Sequence, residues 1–424
     1  MSTQEVIGIL IALTAFSSYI NYRFIKLPKS IGITLITLSL SLLVAAGSRL
    51  GWGIDEVAQN LLKGIGFNET FLQGMLSFLL FAGSLHVNSM ELAKHKSIVA
   101  LLATVSVACS TFLVGYAMYG LTRLLDINLP FYYCFVFGAL ISPTDPIAVL
   151  GILKTANAPK SLEMKIAGEA LFNDGMGIVL FFVTLAIATG THEAVSAKGI
   201  SLYFIRQGLG GIVLGSLMGW LAAKLIKTID DYDVAIILTL AIVTAGYALA
   251  DSVAKVSGPI CMAASGLIIG SSLKNGSMTK HTIQQLDAFW ELLDEVLNAI
   301  LFVLIGLEFL RITFTMDTTL AAVGAIVISI AARWISIVIP VGCMSRFRKF
   351  NPDVLMVMTW GGLRGGISIA LALSISGPQH DIIVAITYAV VMFSIMVQGL
   401  TIGPLVKRMA HDTLLKKPHD NPNP

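Results

Sequence analysis

Apolar runs of about 18 to 25 residues, each long enough to cross a hydrocarbon core of about 30 Å, follow one another along almost the whole of this 424-residue chain. The pattern predicts helices over about 5–22, 31–50, 70–89, 97–122, 131–153, 166–190, 201–226, 233–250, 257–273, 287–310, 317–342, 353–376 and 381–406. That is thirteen spans, with no stretch left for a soluble domain. The start, MSTQEVIGIL, has neither a positively charged n-region nor a small-residue cleavage site. It reads as a first spanning helix rather than a signal peptide.

Two of the runs are punctuated. Span five carries Pro143 and Pro146 around Thr144-Asp145, and a proline inside a helix removes a hydrogen bond and clashes with the preceding turn. Span twelve carries GGLRGG, Gly361 to Gly366. Backbone freed from helical bonding at membrane depth is tolerated only where it lines a cavity or is buried in protein. With spans one to six as one unit, eight to thirteen as another and 201–226 as a linker helix, the two breaks fall at matching positions. The offset of seven puts the units in opposite orientation, and matched broken helices are the best sequence pointer to a transporter site. The expected fold is an all-α integral membrane protein of about thirteen transmembrane helices, an inverted repeat with broken, crossing helices at spans five and twelve.

Composition sharpens this. The chain is 56% hydrophobic and 12% charged with a mean hydropathy of +0.83, against about 25% charged in soluble domains. A net charge of +3 is too small to suggest nucleic acid as a partner; the lipid bilayer is the expected surrounding. Of the 28 Lys and Arg residues, nineteen fall in loops on one side and seven on the other, with Arg333 and Arg364 inside spans. The bias places the C-terminus in the cytoplasm and the N-terminus outside. Cys109, Cys134, Cys261 and Cys343 lie in apolar runs without paired spacing, which reads as core packing rather than a disulfide or metal framework. No cofactor is expected, and no enzyme activity.

The candidate chemistry lies between Gly138 and Gly177. Ionisable groups at membrane depth cost about 2.5 to 3.5 kcal/mol each even on a lenient scale, and usually mark an ion or proton pathway. On span six, Glu169 faces with Asn173 and Ala170 with Asp174, since residues four apart share a helix face. Asp145 can supply the counter-charge that opposed half-helix N-termini require, and Thr144 adds a hydroxyl and an exposed carbonyl. Thr144, Asp145, Asn173 and Asp174 together form an oxygen-rich nest suited to a small hard monovalent cation, or to a proton on the same carboxylates. Arg364 keeps its charge in hydrocarbon and needs an anion. Glu169 is the candidate partner, which would make Glu169 structural and Asp174 the working carboxylate.

Blander readings compete at each position. Asp174 could simply hydrogen-bond Asn173 and backbone at a helix break, and Asp145 could only cap half-helices. Arg333 and Glu308 are expected near span ends or paired locally, and His86 at a helix end in the interface. Gly208, Gly211, Gly215 and Gly219 read as close helix packing.

Three segments, SPTDPIAV, GEALFNDGMGIVLF and GGLRGGISIALAL, resemble the signature segments of the NhaP-like sodium/proton antiporters within the cation/proton antiporter superfamily. Motif order, length and span number agree, so the resemblance covers nearly the whole chain. It implies a homodimer in which a core ion-translocation domain (97–190 and 317–406) moves against a dimerisation domain (1–96 and 233–310). It implies that cation and proton compete at Asp174, that Asp145 and Thr144 complete the site for transported Na⁺, and that Glu169 and Arg364 form an interhelical ion pair. The Asn173-Asp174 pair, rather than Asp-Asp, is associated with electroneutral exchange. Ala170 stands where a serine often contributes to the site and Ala82 where some members carry a glutamate, so K⁺ or Li⁺ competes with Na⁺ as the expected cargo. The family and the short tail also imply a bacterial inner membrane, pH homeostasis, and no cytoplasmic regulatory domain. An intramembrane aspartyl protease would need a Gly-x-Gly-Asp segment opposite a Tyr-Asp segment, and Gly-x-Gly-Asp is absent from the sequence; a channel would need a symmetric ring of filter loops, and a cation sensor an output domain.

Overall fold

The computed structural model describes residues 3–49, 69–87, 96–145, 160–190, 197–274, 279–312, 315–344 and 352–415. Among them every regular element is helical. The helices are α1 (Thr3–Ile20), α2 (Lys29–Arg49), α3 (Glu69–Leu85), α4 (96–124), α5 (Phe131–Ile141), α6 (Lys160–Thr189), α7 (197–226), α8 (232–254), α9 (Gly258–Lys274), α10 (Lys280–Glu308), α11 (Met316–Met344), α12 (Pro352–Trp360), α13 (Gly366–Leu373) and α14 (380–415). The second half of span five, with Pro146, lies outside the described residues.

Among the described residues eight helices are long and apolar enough to cross a membrane, and three more, Gly74–Leu85, Phe131–Ile141 and Gly258–Leu273, are apolar but shorter. Length and apolarity alone therefore do not reach the expected thirteen. Two further elements explain part of the gap. Helix α10 begins seven residues before the apolar run does, because its first half is amphipathic, with Asp287, Glu291, Asp294 and Glu295. The run over 353–376 is split into α12 and α13, of 9 and 8 residues.

Packing divides the helices by neighbour. Helix α5 lies between α4 and α6, α11 packs on α4, α12 and α14, and α13 packs on α14. Helix α10 packs on α1, α2 and α3, while α9 packs on α3 and α7. The α7–α9 seam explains the glycine pattern of α7. A Cβ on Gly215 would collide with the carbonyl of Cys261, and one on Gly219 would lie 2.8 Å from that of Ser265. Bare backbone at these steps lets the two helices approach closely, and Ser265 Oγ donates to Gly215 O at 2.8 Å across the seam. A second apolar cluster, with Phe81, Ala82, Leu85 and Trp290, fastens α3 to α10. The indole of Trp290 donates to Thr239 Oγ1 of α8 at 3.0 Å, so this large side chain is buried without an orphaned N–H.

Outside the spans, the turn from α7 to α8 is tied to the start of α10. Asp230 Oδ1 accepts from Thr279 Oγ1 at 3.0 Å and Thr282 Oγ1 at 2.9 Å, while Asp231 caps α8 by accepting from Asp233 and Val234 N–H. The hydroxyl bonds, Thr282 first and Thr279 next, hold the Asp230 carboxyl below its ordinary value. A depressed carboxyl stabilises the fold above its unfolded-state value and loses that contribution as pH falls through the folded one. Asp230→Ala should therefore melt below the parent in detergent at pH 7, and the gap should close under acid conditions that protonate the carboxyl in both states. A gap that persists in acid would place the effect elsewhere.

Candidate functional site

The site is built where the two breaks meet. Helix α5 stops at Ile141 because Pro143 brings no N–H to continue the ladder. Across from it, α12 stops at Trp360 and α13 restarts at Gly366. The backbone N–H of Asp145 donates to the carbonyl of Leu363 at 2.7 Å, so each break satisfies a group that the other leaves open. A Cβ on Gly365 would overlap the carboxylate of Asp145, and one on Gly362 would lie 2.7 Å from Arg333 Nε. Glycine is required here by close approach rather than by a special dihedral. Asp145 thus lies at the N-terminal end of α13, where the helix dipole favours a negative charge, as anticipated for the half-helix ends.

Asn173 holds the first break to α6. Its Nδ2 donates to Thr144 Oγ1 at 2.7 Å and its Oδ1 accepts from Thr144 N–H at 3.3 Å. A Cβ on Gly177, one turn further along α6, would collide with the Pro143 ring. Asp174, next in sequence to Asn173, is buried and within electrostatic reach of Asp145. Thr144, Asp145, Asn173 and Asp174 therefore come together as the spacing suggested, with Ala170 buried one turn before Asp174 and Ala82 in the apolar α3–α10 cluster.

The expected pairing of Glu169 with Arg364 needs correction. Glu169 Oε1 lies 2.6 Å from Arg333 Nη1 of α11, with both side chains buried. Arg364 instead turns Nη1 to the carbonyls of Ser142 and Pro143, each at 3.2 Å. The reason is local demand. A helix end leaves carbonyls unpaired and carries partial negative charge, and the arginine in the opposing break reaches them. Glu169 still acts on Arg364 electrostatically, but its contact partner comes from α11. Arg333 is thus neither a span-end residue nor paired within its own helix, and its Nη2 also reaches Met358 O at 3.5 Å.

Two further groups support the second break. Arg364 N–H donates to Ser394 Oγ at 2.8 Å, and Ser394 Oγ donates to Gln398 Oε1 at 2.6 Å. Both lie in a π-helical turn of α14, Ser394–Gln398, a kind of irregularity that recurs at functional sites. The half-buried Asp294 of α10 is within electrostatic reach of Asp145. Sequence reasoning passed over it because it sits among Glu291 and Glu295 in what looks like a solvated helix face.

The arrangement offers two adjacent carboxylates, hydroxyl and carbonyl oxygens, and two buried guanidinium groups held by other partners. Such a site can hold one small cation or one proton. Comparison with known proteins agrees with that chemistry. The family model described as sodium/hydrogen exchanger, transmembrane, matches residues 10–408. The Na⁺/H⁺ antiporter NhaP of Pseudomonas aeruginosa is 44% identical over 422 residues, covering 97% of this chain and 98% of that protein. The Na⁺/H⁺ antiporter NhaH of Halobacillus dabanensis is 30% identical over 391 residues, covering 91% and 93%. The solved structure of the sodium proton antiporter MjNhaP1 from Methanocaldococcus jannaschii at pH 8 has the same fold, with a TM-score of 0.77, 21% identity, and coverage of 96% of this chain and 99% of that one. The chain is a multi-pass membrane protein and belongs to the sodium/hydrogen exchanger family.

Proposed function

We propose that this chain exchanges Na⁺ for H⁺, one for one, with the two cations competing for the Asp145–Asp174 pair and Asp174 as the working carboxylate. The observation that carries the reading is the charge balance around the crossing. Arg333 and Arg364 contribute two positive charges, and Glu169, Asp145 and Asp174 three negative ones. The empty site is therefore one charge short of neutral. One Na⁺ or one H⁺ brings it to zero, and the two loaded forms carry the same charge. Moving a net charge through low dielectric costs several kcal/mol, so only a loaded site crosses cheaply. Equal charge in both loaded forms makes the exchange electroneutral.

In this reading 97–190 and 317–406 form the moving core and 1–96 and 233–310 the dimerisation domain of a homodimer, with 201–226 linking them. The protein sits in the bacterial inner membrane, N-terminus outside and C-terminus cytoplasmic, and serves pH homeostasis. Thr144 supplies an oxygen to the transported ion, Asn173 positions Thr144, and Glu169 with Arg333 fixes α6 against α11. Ala170 offers a methyl group where an oxygen would tighten the site, so K⁺ and Li⁺ are tested alongside Na⁺.

Proteoliposomes with an imposed pH gradient should lose that gradient when Na⁺ is added, and Asp174→Asn should abolish the response. Wild-type exchange in that variant would exclude Asp174 as the site. One uncompensated charge would feel about 2.3 kcal/mol per 100 mV, close to fifty-fold in the equilibrium. The proposed exchange should instead move by less than twofold under an imposed potential.

Removing one member of a buried ion pair costs about 3 to 5 kcal/mol. Glu169→Gln should lower thermal stability sharply, and adding Arg333→Met should restore most of it. Thermal melts of the two double variants compare the pairs: a rescue by Arg364→Met larger than that by Arg333→Met would reinstate the pairing read from sequence.

A further inference from the structure

Asp294, Leu301 and Glu308 follow one another along α10 at steps of seven residues. Seven residues fall about 20° short of two full turns, so the three side chains form one stripe. Its ends are about 21 Å apart at 1.5 Å per residue. The middle of the stripe faces the second broken helix. Leu301 is 8% exposed, and a Cβ on Gly366, the first residue of α13, would overlap its side chain.

The ends carry carboxylates in unlike settings. Asp294 is half-buried and within electrostatic reach of Asp145, Glu291 and Glu295. Asn298, one turn on, donates Nδ2 to its carbonyl at 2.9 Å. Glu308 is 2% exposed; its Oε1 is 3.9 Å from Arg311 Nε, and its Oε2 is buried with no hydrogen-bond partner among the described residues. Tyr388 of α14 is within its electrostatic reach, and the Tyr388 ring lies 6.2 Å from that of Phe309. Two other acidic residues of α10 are engaged on different neighbours. Glu295 pairs with Lys29 of α2 at 2.7 Å, and Asp287 lies 3.9 Å from His86 of α3.

A carboxylate oxygen buried without a donor is costly to keep. Packing does not explain Glu308, since an apolar residue would fill the same place without that cost.

We propose that α10 is a fixed track bearing one cation-attracting carboxylate at each mouth of the pathway, Asp294 on one side of the membrane and Glu308 on the other, with Leu301 against Gly366 as the apolar septum between them. This rests on the exchange reading above. Asp294 lies toward the start of α10, on the side of Lys274 and Lys280, which is the cytoplasmic side in that reading. Asp294 is partly exposed and Glu308 is sealed, so the cytoplasmic mouth is the more accessible of the two here. A fixed negative charge at a low-dielectric mouth raises the local concentration of cations. Na⁺ and H⁺ carry the same charge and are enriched by the same factor, so the track changes apparent affinity without changing stoichiometry. Both residues act through the Asp145–Asp174 pair and are positioning residues.

The test is sided kinetics on the full chain, in everted and right-side-out membrane vesicles from cells without other Na⁺/H⁺ exchange. Asp294→Asn should raise KM for Na⁺ about two- to fourfold, as expected for a unit charge about 10 Å away, half the length of the stripe, at an effective dielectric of about 40 to 80. The rise should appear in everted vesicles alone, with Vmax within twofold. Glu308→Gln should do the same in right-side-out vesicles alone. In the wild type, choline chloride should raise KM toward the variant values by screening, a readout that needs no variant to fold. Equal effects on both faces, a loss of Vmax without a change in KM, or a KM indifferent to choline chloride would overturn the track. Absence of exchange in the wild type with Na⁺, Li⁺ and K⁺ would instead overturn the exchange reading itself.

Discussion

The hydrogen bond from Asp145 N–H to Leu363 C=O joins two helices that have each been interrupted in the middle of the membrane. Neither interruption is tolerable alone, because unpaired backbone in hydrocarbon costs several kcal/mol per group. Together they satisfy one another, and the remaining open groups recruit specific side chains. Arg364 takes the carbonyls of Ser142 and Pro143, Ser394 takes the N–H of Arg364, and Asn173 takes the N–H and hydroxyl of Thr144. The polar residues at this depth therefore follow from the breaks. Once the two strands of backbone cross, most of the site is determined by what they leave unpaired.

That dependence separates the ionisable groups into fixed and variable ones. Glu169 and Arg333 are 2.6 Å apart and both buried, so either one alone would be an uncompensated charge in low dielectric. Arg364 is fixed as well, by the carbonyls of Ser142 and Pro143. In the proposed exchange the variable element is the Asp145–Asp174 pair, whose two carboxylates lie within electrostatic reach of one another. Burial of a paired Glu–Arg contributes little net stability by itself. Its consequence here is that α6 and α11 hold one another in register on either side of the crossing, so that Asp174 stays beside Asp145.

The sequence made the breaks legible because Pro and Gly act on the backbone directly, and Pro143 and the GGLRGG segment mark them without reference to tertiary structure. It also brought Thr144, Asp145, Asn173 and Asp174 together, since helical spacing and adjacent breaks leave few alternatives. The partner of Glu169 was not legible. Choosing between Arg364 and Arg333 requires knowing that Arg364 is consumed by the end of α5, a fact of the crossing geometry. Asp294 was hidden for another reason: a periodic acidic face predicts solvation equally well whether the helix meets water or a polar mouth in the protein. The start of α10 moved from 287 to 280 for the same reason, because amphipathic turns continue a helix without adding to an apolar run.

The crossing also bears on which cations such a site can tell apart. Discrimination between monovalent ions depends on the number and rigidity of coordinating oxygens. Thr144 Oγ1 already accepts a hydrogen bond from Asn173, and Ala170, one turn before Asp174 and 2% exposed, adds no oxygen. In the proposed exchange the two carboxylates would then supply most of the fixed coordination, with water completing the shell. A cation that keeps part of its hydration gives up less on entry, and the penalty that would separate Na⁺ from a larger ion is correspondingly smaller. Ala170 leaves the charge balance untouched. In the proposed exchange, stoichiometry and selectivity are thus set by different parts of the site, the first by the charges gathered at the crossing and the second by the neutral positions around them.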